Sequence, residues 1–274
     1  MFPFQQLGFA GVALAIALVD LLRYALVAGI GAWFVARIAR RHWPWRKIVA
    51  AEATARDRRR EVLCSLRTVA IFGLVGASVG WAAAHGCTRL YFRIAERGWP
   101  WFVASVALTI VLHDAWFYWT HRALHSRWLY ARVHRTHHLS TNPTVWAAYS
   151  FSPWEALVQA GIFPLVAFTL PIHPLAFATF MLFQIGENVL GHCGYEIFPR
   201  WLLRSPLGAL TNTPTHHVQH HQRFTDNFGL YFNVWDRLCG TNHRDYQREF
   251  ERATARPMAA GEAGGASPPR SARA

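Results

Sequence analysis

Apolar residues run along this chain in five blocks separated by shorter polar breaks. The first, from Leu7 to about Val35, carries only two charged residues, Asp20 and Arg23, whose i,i+3 spacing on a helix lets them pair. The second runs from about Leu63 to Ala84 and the third from about Trp99 to Trp119, with a short loop at 85–97 between them. Each is long enough to cross a bilayer as a helix, since about 20 residues suffice. Two later blocks, 154–171 and 173–191, meet at Pro171-Ile172-His173-Pro174, which reads as the turn of a helical hairpin, either spanning or re-entrant. The pattern predicts an all-α integral membrane protein with four or five membrane-embedded helices.

Composition agrees with this reading and narrows the partner. The 274 residues are 53% hydrophobic, with 13 Trp and 19 Phe, and the net charge is +13. A basic chain suits nucleic acid or an anionic membrane surface, and the apolar spans make the membrane the simpler partner. No nucleic-acid partner is expected. The basic segment from Arg37 to Arg60 should lie in the cytoplasm by the positive-inside rule. That places the N-terminus and the 85–97 loop outside, and returns the chain to the cytoplasm after the third block and again after the hairpin. Cys64, Cys87, Cys193 and Cys239 show no CxxC spacing, so neither a disulfide framework nor a cysteine metal site is expected. The start of the chain lacks the basic flank and short apolar core of a cleavable signal peptide. Residues 1–251 read as one domain, and 252–274, rich in Ala, Gly, Pro and Ser, as a disordered tail.

Histidine carries the chemistry. HRALH holds His121 and His125, HRTHH holds His134, His137 and His138, and HHVQHH holds His216, His217, His220 and His221. Residues three or four apart share a helix face, so each group can aim two or three ring nitrogens at one point. Neutral imidazole is a good ligand for iron, zinc, copper or nickel. All the groups fall on the predicted cytoplasmic side, as a cap below the spans. Gln184, Glu187 and Asn188 are polar residues inside the fifth apolar block, where such residues are usually functional. Asn188 and His192 are again four apart, which makes His192 a ligand candidate, a helix-end cap being its plainer role, and Asn188 a residue beside the site. Nine candidate ligands, His121, His125, His134, His137, His138, His192, His217, His220 and His221, exceed what one ion can use. Two ions roughly 3.5–4 Å apart, or somewhat wider, would share them. His216 points about 100° away from His217 on a helix and is placed beside the site rather than on the same ion.

HRALH, HRTHH, HCGYEIFP, HHVQHH and the closing NFGLYFNVWDRLCGT together resemble the fatty acid hydroxylase/sterol desaturase superfamily over about 110–241. The resemblance implies a histidine-held pair of irons on the cytoplasmic side that uses O2 to hydroxylate or desaturate a lipid C–H bond. It also implies a helical cap over a helical membrane domain. Asp114 and Asp226 match acidic positions near such sites and are candidate orienters of imidazole ligands. Asp236 and Arg237 are candidates to hold the cap together. Trp146, Tyr149, Phe151 and Trp154 are candidates to line a substrate entrance, with an interfacial aromatic belt as the alternative. The chain carries no flavin, nicotinamide or haem signature, so a separate electron-transfer protein is expected. The competing readings are a membrane zinc hydrolase acting on a lipid ester and a metal transporter, which would spread its histidines through the membrane depth.

Overall fold

Leu14, Leu18, Leu22, Leu26 and Ile30 recur every fourth residue, and all five side chains are exposed. Such a stripe is unfavourable in water and suits a helix that faces lipid on one side. The opposite stripe, Asp20, Tyr24 and Ala28, is buried. A computed structural model of the chain describes residues 4–208 and 210–255, and the helix that carries both stripes, α1, runs Phe4–Phe34. It continues through a wide turn, so that helical structure extends over Gln6–His42. α2 (Ala55–Ala84) begins at a capping box in which Thr54 Oγ1 accepts from the Asp57 N–H and the Asp57 carboxylate accepts from the Thr54 N–H. α3 covers Gly98–Leu124. These three helices are long and apolar enough to cross a membrane, by length and composition.

Asp20 and Arg23 pair as their spacing suggests, with Nη2 2.6 Å from Oδ1. The approach of α1 to α2 depends on a small residue. A Cβ on Gly73 would stand 2.7 Å from the Ala13 carbonyl oxygen and 2.8 Å from Ala17 Cβ. In lipid the association of helices rests on close packing of this kind, since the tails around them are just as apolar. Gly73→Val should therefore destabilise the bundle by about 1–3 kcal/mol, read as a lower thermal midpoint in detergent. An unchanged midpoint would show that the helices can separate without loss.

The fourth apolar block does not form one helix. It breaks at Gly161 into α4 (Pro153–Ala160) and α5 (Ile162–Thr169), where Pro164 has no N–H to offer the Ala160 carbonyl, and Gly161 lies against Trp116 of α3. A Cβ on Gly161 would lie 2.5 Å from the Trp116 ring. Trp116 Nε1 also donates to the Val158 carbonyl at 3.1 Å. α6 (Pro174–Gly191) returns from the hairpin tip. The tip reaches the ends of α2 and α3 farthest from the histidines. The Arg89 N–H donates to the Ala167 carbonyl, the Tyr91 N–H to Ile172 and Trp101 Nε1 to Pro171.

Beyond α6 the chain turns back beneath the helix ends. α7 (Pro214–Arg223) is buried from Pro214 through His221, although most of those residues are polar. α8 (Val234–Leu238) and α9 (Tyr246–Thr254) support it from below. Among the described residues there is no strand, and two isolated bridges, Lys47 with Tyr195 and Thr211 with Phe232, tie segments together. Of the segment 252–274 expected as a tail, Arg252–Thr254 belong to α9. Residues 256–274 lie outside the described part.

Candidate metal centre

One face of α3 leads into the site. Phe102, Ser105, Thr109, His113, Phe117 and His121 are buried at three- and four-residue intervals. His125 caps the helix one turn further on. HRTHH follows on a wide turn over Tyr130–His134, where the Arg135 N–H reaches back to the Tyr130 carbonyl, and a single α-turn over Arg135–His138. Wide turns of this type recur at functional sites. His192 ends α6, and α7 supplies His217, His220 and His221.

The nine candidate ligands meet in two groups. His121, His125, His134, His138 and His220 form one; His137, His192, His217 and His221 form the other. Within each group the ligand atoms lie within 4.8 Å of one another. All are buried except His125, which is half-buried. The sequence patterns suggest that each histidine box serves one point. Instead, neighbours separate: His137 and His138 go to different groups, as do His220 and His221, because consecutive helical residues point about 100° apart. Among the described residues both groups consist of histidine alone.

The tautomers show what belongs between the rings. His121 Nδ1 donates to the Phe228 carbonyl at 2.8 Å, His220 Nδ1 to the Asp226 carbonyl at 2.6 Å and His192 Nδ1 to the Asn188 carbonyl at 2.7 Å. His134 Nδ1 donates to Glu155 Oε1 at 2.8 Å. Each of these rings therefore turns a bare Nε2 inward. His121 Nε2 stands 3.1 Å from His134 Nε2, which is 3.0 Å from His138 Nε2; His138 Nε2 is in turn 3.0 Å from His125 Nε2 and 3.2 Å from His220 Nε2. In the other group His217 Nε2 is 3.0 Å from His192 Nε2 and 3.2 Å from His221 Nε2. Lone pairs converging at this range repel unless a cation sits among them, and protonation does not supply one. Burial and neighbouring imidazoles hold His134, His137, His138, His217 and His221 well below the usual imidazole range. Burial pushes His192 down to about 4 and His220 to about 3. The residues fit metal ions in both groups.

These shifts set a pH dependence for chelator-treated protein. The unfolded chain takes up protons on imidazole below about pH 6.5. The folded chain resists until about pH 4 at His192 and about pH 3 at His216 and His220. The unfolded state thus binds more protons, and stability falls as the pH drops through 6.5, by about 1.4 kcal/mol per pH unit for each such residue. Thermal midpoints measured between pH 7 and 5 should fall steeply, and a flat profile would contradict neutral burial.

The neighbours of the ligands differ in part from expectation. Asp114 touches no imidazole; its Oδ1 accepts from the N–H groups of Tyr231 and Phe232 at 3.0 and 3.2 Å and so anchors the loop whose Phe228 carbonyl holds His121. Asp226 and Asn188 act through their backbone carbonyls, while the Asp226 carboxylate accepts from Thr225 Oγ1. The Asn188 side-chain nitrogen is buried without a protein partner. His216 stands outside both groups, packed edge-on against Tyr246 with its Nε2 3.5 Å from Asp236. The Asp236 carboxylate accepts from the N–H groups of Phe228 and Gly229 and from Thr241 Oγ1, which ties the cap together. The four aromatic candidates for an entrance do not share one passage. Tyr149 is fully buried and donates to Gln184, Trp154 is exposed, and Trp146 lies half-buried with its carbonyl held by Tyr24 and Ser65. Phe151 packs 5.3 Å from the His137 ring and lines a small cavity with Phe163, Met181, Gln184 and Asn188.

Two acids went unnoticed in the sequence. Glu155 is fixed by the first turn of α4, where its N–H donates to Ser152 Oγ at 3.1 Å; a lone carboxylate in an apolar block was the available signal. Glu196, within HCGYEIFP, accepts from the N–H and Oγ1 of Thr215 at 3.1 and 2.7 Å and so seats the start of α7.

A bundle of long apolar helices closed by a cap that holds two buried all-histidine groups defines a membrane metalloprotein. The fatty acid hydroxylase family model matches residues 106–241, the segment that contains all nine candidate ligands. The chain is 33% identical to the Delta(7)-sterol 5(6)-desaturase of Gibberella zeae over 67% of its own length and 55% of that protein's. It is 28% identical to lathosterol oxidase of Mus musculus, over 66% of this chain and 60% of the other. A very-long-chain aldehyde decarbonylase of Oryza sativa subsp. indica is 30% identical over 74% of this chain and 34% of the relative. The chain belongs to the fatty acid hydroxylase/sterol desaturase superfamily. It spans little more than half the length of the desaturase and the oxidase and about a third of the decarbonylase. No solved structure matches it.

Proposed function

We propose that this protein is a membrane-bound di-iron oxidoreductase that uses O2 to hydroxylate or desaturate a C–H bond of a lipid, with electrons from a separate protein. The observation that carries the reading is the pair of buried histidine groups with bare Nε2 atoms facing one another. Iron is favoured over zinc by number. The five-ring group suits five- or six-coordinate iron better than tetrahedral zinc. A hydrolase has no use for so many imidazoles, and ligands gathered at one end of the bundle do not suit a transport path.

Bound iron would supply the activation of O2 that no side chain offers. The protein's part is to hold and enclose. Carbonyls of Phe228, Asn188 and Asp226 and the Glu155 carboxylate fix four rings with Nε2 inward. Phe224, in a left-handed conformation with φ 68°, packs 4.8 Å from the His138 ring and shields that side from water. An apolar cleft of about 450 Å³ between α1, α2 and the hairpin gives room for a lipid chain or ring system, and Phe163 and Met181 stand between it and the small cavity that Phe151 lines. The relatives named as sterol-acting and as acting on very-long-chain aldehydes support a sterol or long-chain substrate. The basic 37–60 segment supports a cytoplasmic metal site.

The test is purified protein loaded with iron and supplied with a reducing system, O2 and a membrane lipid extract. A product gaining oxygen or losing two hydrogens, formed only when O2 is present, is expected. Ester cleavage independent of O2, sustained by zinc, would replace this reading with the hydrolase.

A further inference from the structure

A polar opening that no histidine lines lies at the membrane end of the cap. It encloses about 280 Å³ where the last turns of the first membrane helix meet the start of α2. Its floor is apolar, formed by Ala32, Val35 and Ala36, and its rim carries Arg40, Lys47 and Arg58. Against these three cations it has one carboxylate, Glu52, which Arg40 and Lys47 share. The charged residues that line it thus sum to +2. The covering segment is fixed to the cap: the Ile48 N–H donates to the Gly194 carbonyl at 3.0 Å, and Asn142 Nδ2 to the Ala51 carbonyl at 2.6 Å.

We propose that this pocket binds the phosphate headgroup of an anionic bilayer lipid, with the first methylenes of its chain on the Ala32–Val35–Ala36 floor. An excess of cations beside an apolar floor at the end of a membrane-length helix fits an anion carrying a hydrocarbon chain better than a free ion or a neutral headgroup. The inference is independent of the oxygenase reading and of the substrate, and it stands if either fails. Its occupant would brace the segments that follow His138 and His192, since Pro143, Thr144, Cys193 and Gly194 line the same pocket.

The test is the full chain in a neutral maltoside detergent, titrated with dodecyl phosphate and, separately, with inorganic phosphate, reading the thermal midpoint. Dodecyl phosphate should raise the midpoint with half-saturation at least tenfold below that of inorganic phosphate. Arg40→Gln/Arg58→Gln should weaken it at least fivefold, Arg40→Lys/Arg58→Lys should restore most of the effect, and Arg127→Gln/Arg132→Gln, two exposed arginines elsewhere, should change nothing. Ala36→Phe, which fills the floor and keeps every charge, should abolish the advantage of dodecyl phosphate at unchanged metal content, and it serves should the arginine variants misfold. Equal loss from both arginine pairs would reduce the effect to general attraction to a basic protein and overturn the site. Equal potency of inorganic phosphate would overturn the lipid.

Discussion

Alanine at both His137 and His221 should empty one group and leave the protein with about half its metal, whereas alanine at both His137 and His138 should weaken both metals and empty neither group outright. The first pair belongs to one group of ligands and the second to two, although His137 and His138 are neighbours in the chain. His138 is the more damaging of the adjacent pair. Its Nε2 stands within 3.2 Å of those of His125, His134 and His220, so its loss opens the centre of the five-ring group. Three imidazoles remain in the other group after a single loss, enough for weak binding but with a position open. Metal per chain, measured after gel filtration in detergent, decides between the arrangements. Activity should fall in each double variant by more than the roughly 10–100-fold expected from removing a partner of a ligand. Equal metal loss in the two doubles would mean that the histidines form one shared site.

The candidate ligands are legible in the sequence, and their partition into two groups is not. HRTHH and HVQHH show that several imidazoles share a turn, yet whether His137 joins His134 or His221 depends on where α6 and α7 stand, which no local spacing encodes. Backbone partners are hidden for a related reason. Asp226 and Asn188 are near the site as their positions suggest, but their carbonyls hold the rings, and every residue has a carbonyl. Apolar periodicity locates the long helices because lipid and core both select it. It does not reveal the break at Gly161, which Pro164 marks instead by withholding the N–H that would bond the Ala160 carbonyl. Tyr149 reads as an interfacial ring and lies in the core, its hydroxyl satisfied by Gln184 from the same apolar block that carries Asn188.

Glu155 offers the second large effect, and it acts through another residue. Its Oε1 accepts a hydrogen bond from His134 Nδ1–H at 2.8 Å, both side chains are almost wholly buried, and its Oε2 has no other partner. The carboxylate therefore fixes the tautomer of His134 and raises the basicity of the nitrogen that faces the metal. Glu155→Ala should lower metal affinity at the five-histidine group by about 10–100-fold, read as the chelator concentration that strips half the metal. Glu155→Gln keeps an oxygen to accept the proton and loses only the charge, so it should fall between Glu155→Ala and the native chain. The effect should be confined to one group, because the four-histidine group takes no contact from Glu155 and its His192 is fixed by the Asn188 carbonyl. A merely structural role would weaken both groups together and lower the thermal midpoint in step. Loss of one metal at an unchanged midpoint in the metal-free protein assigns Glu155 to His134; parallel loss of both would show that α4 supports the cap as a whole.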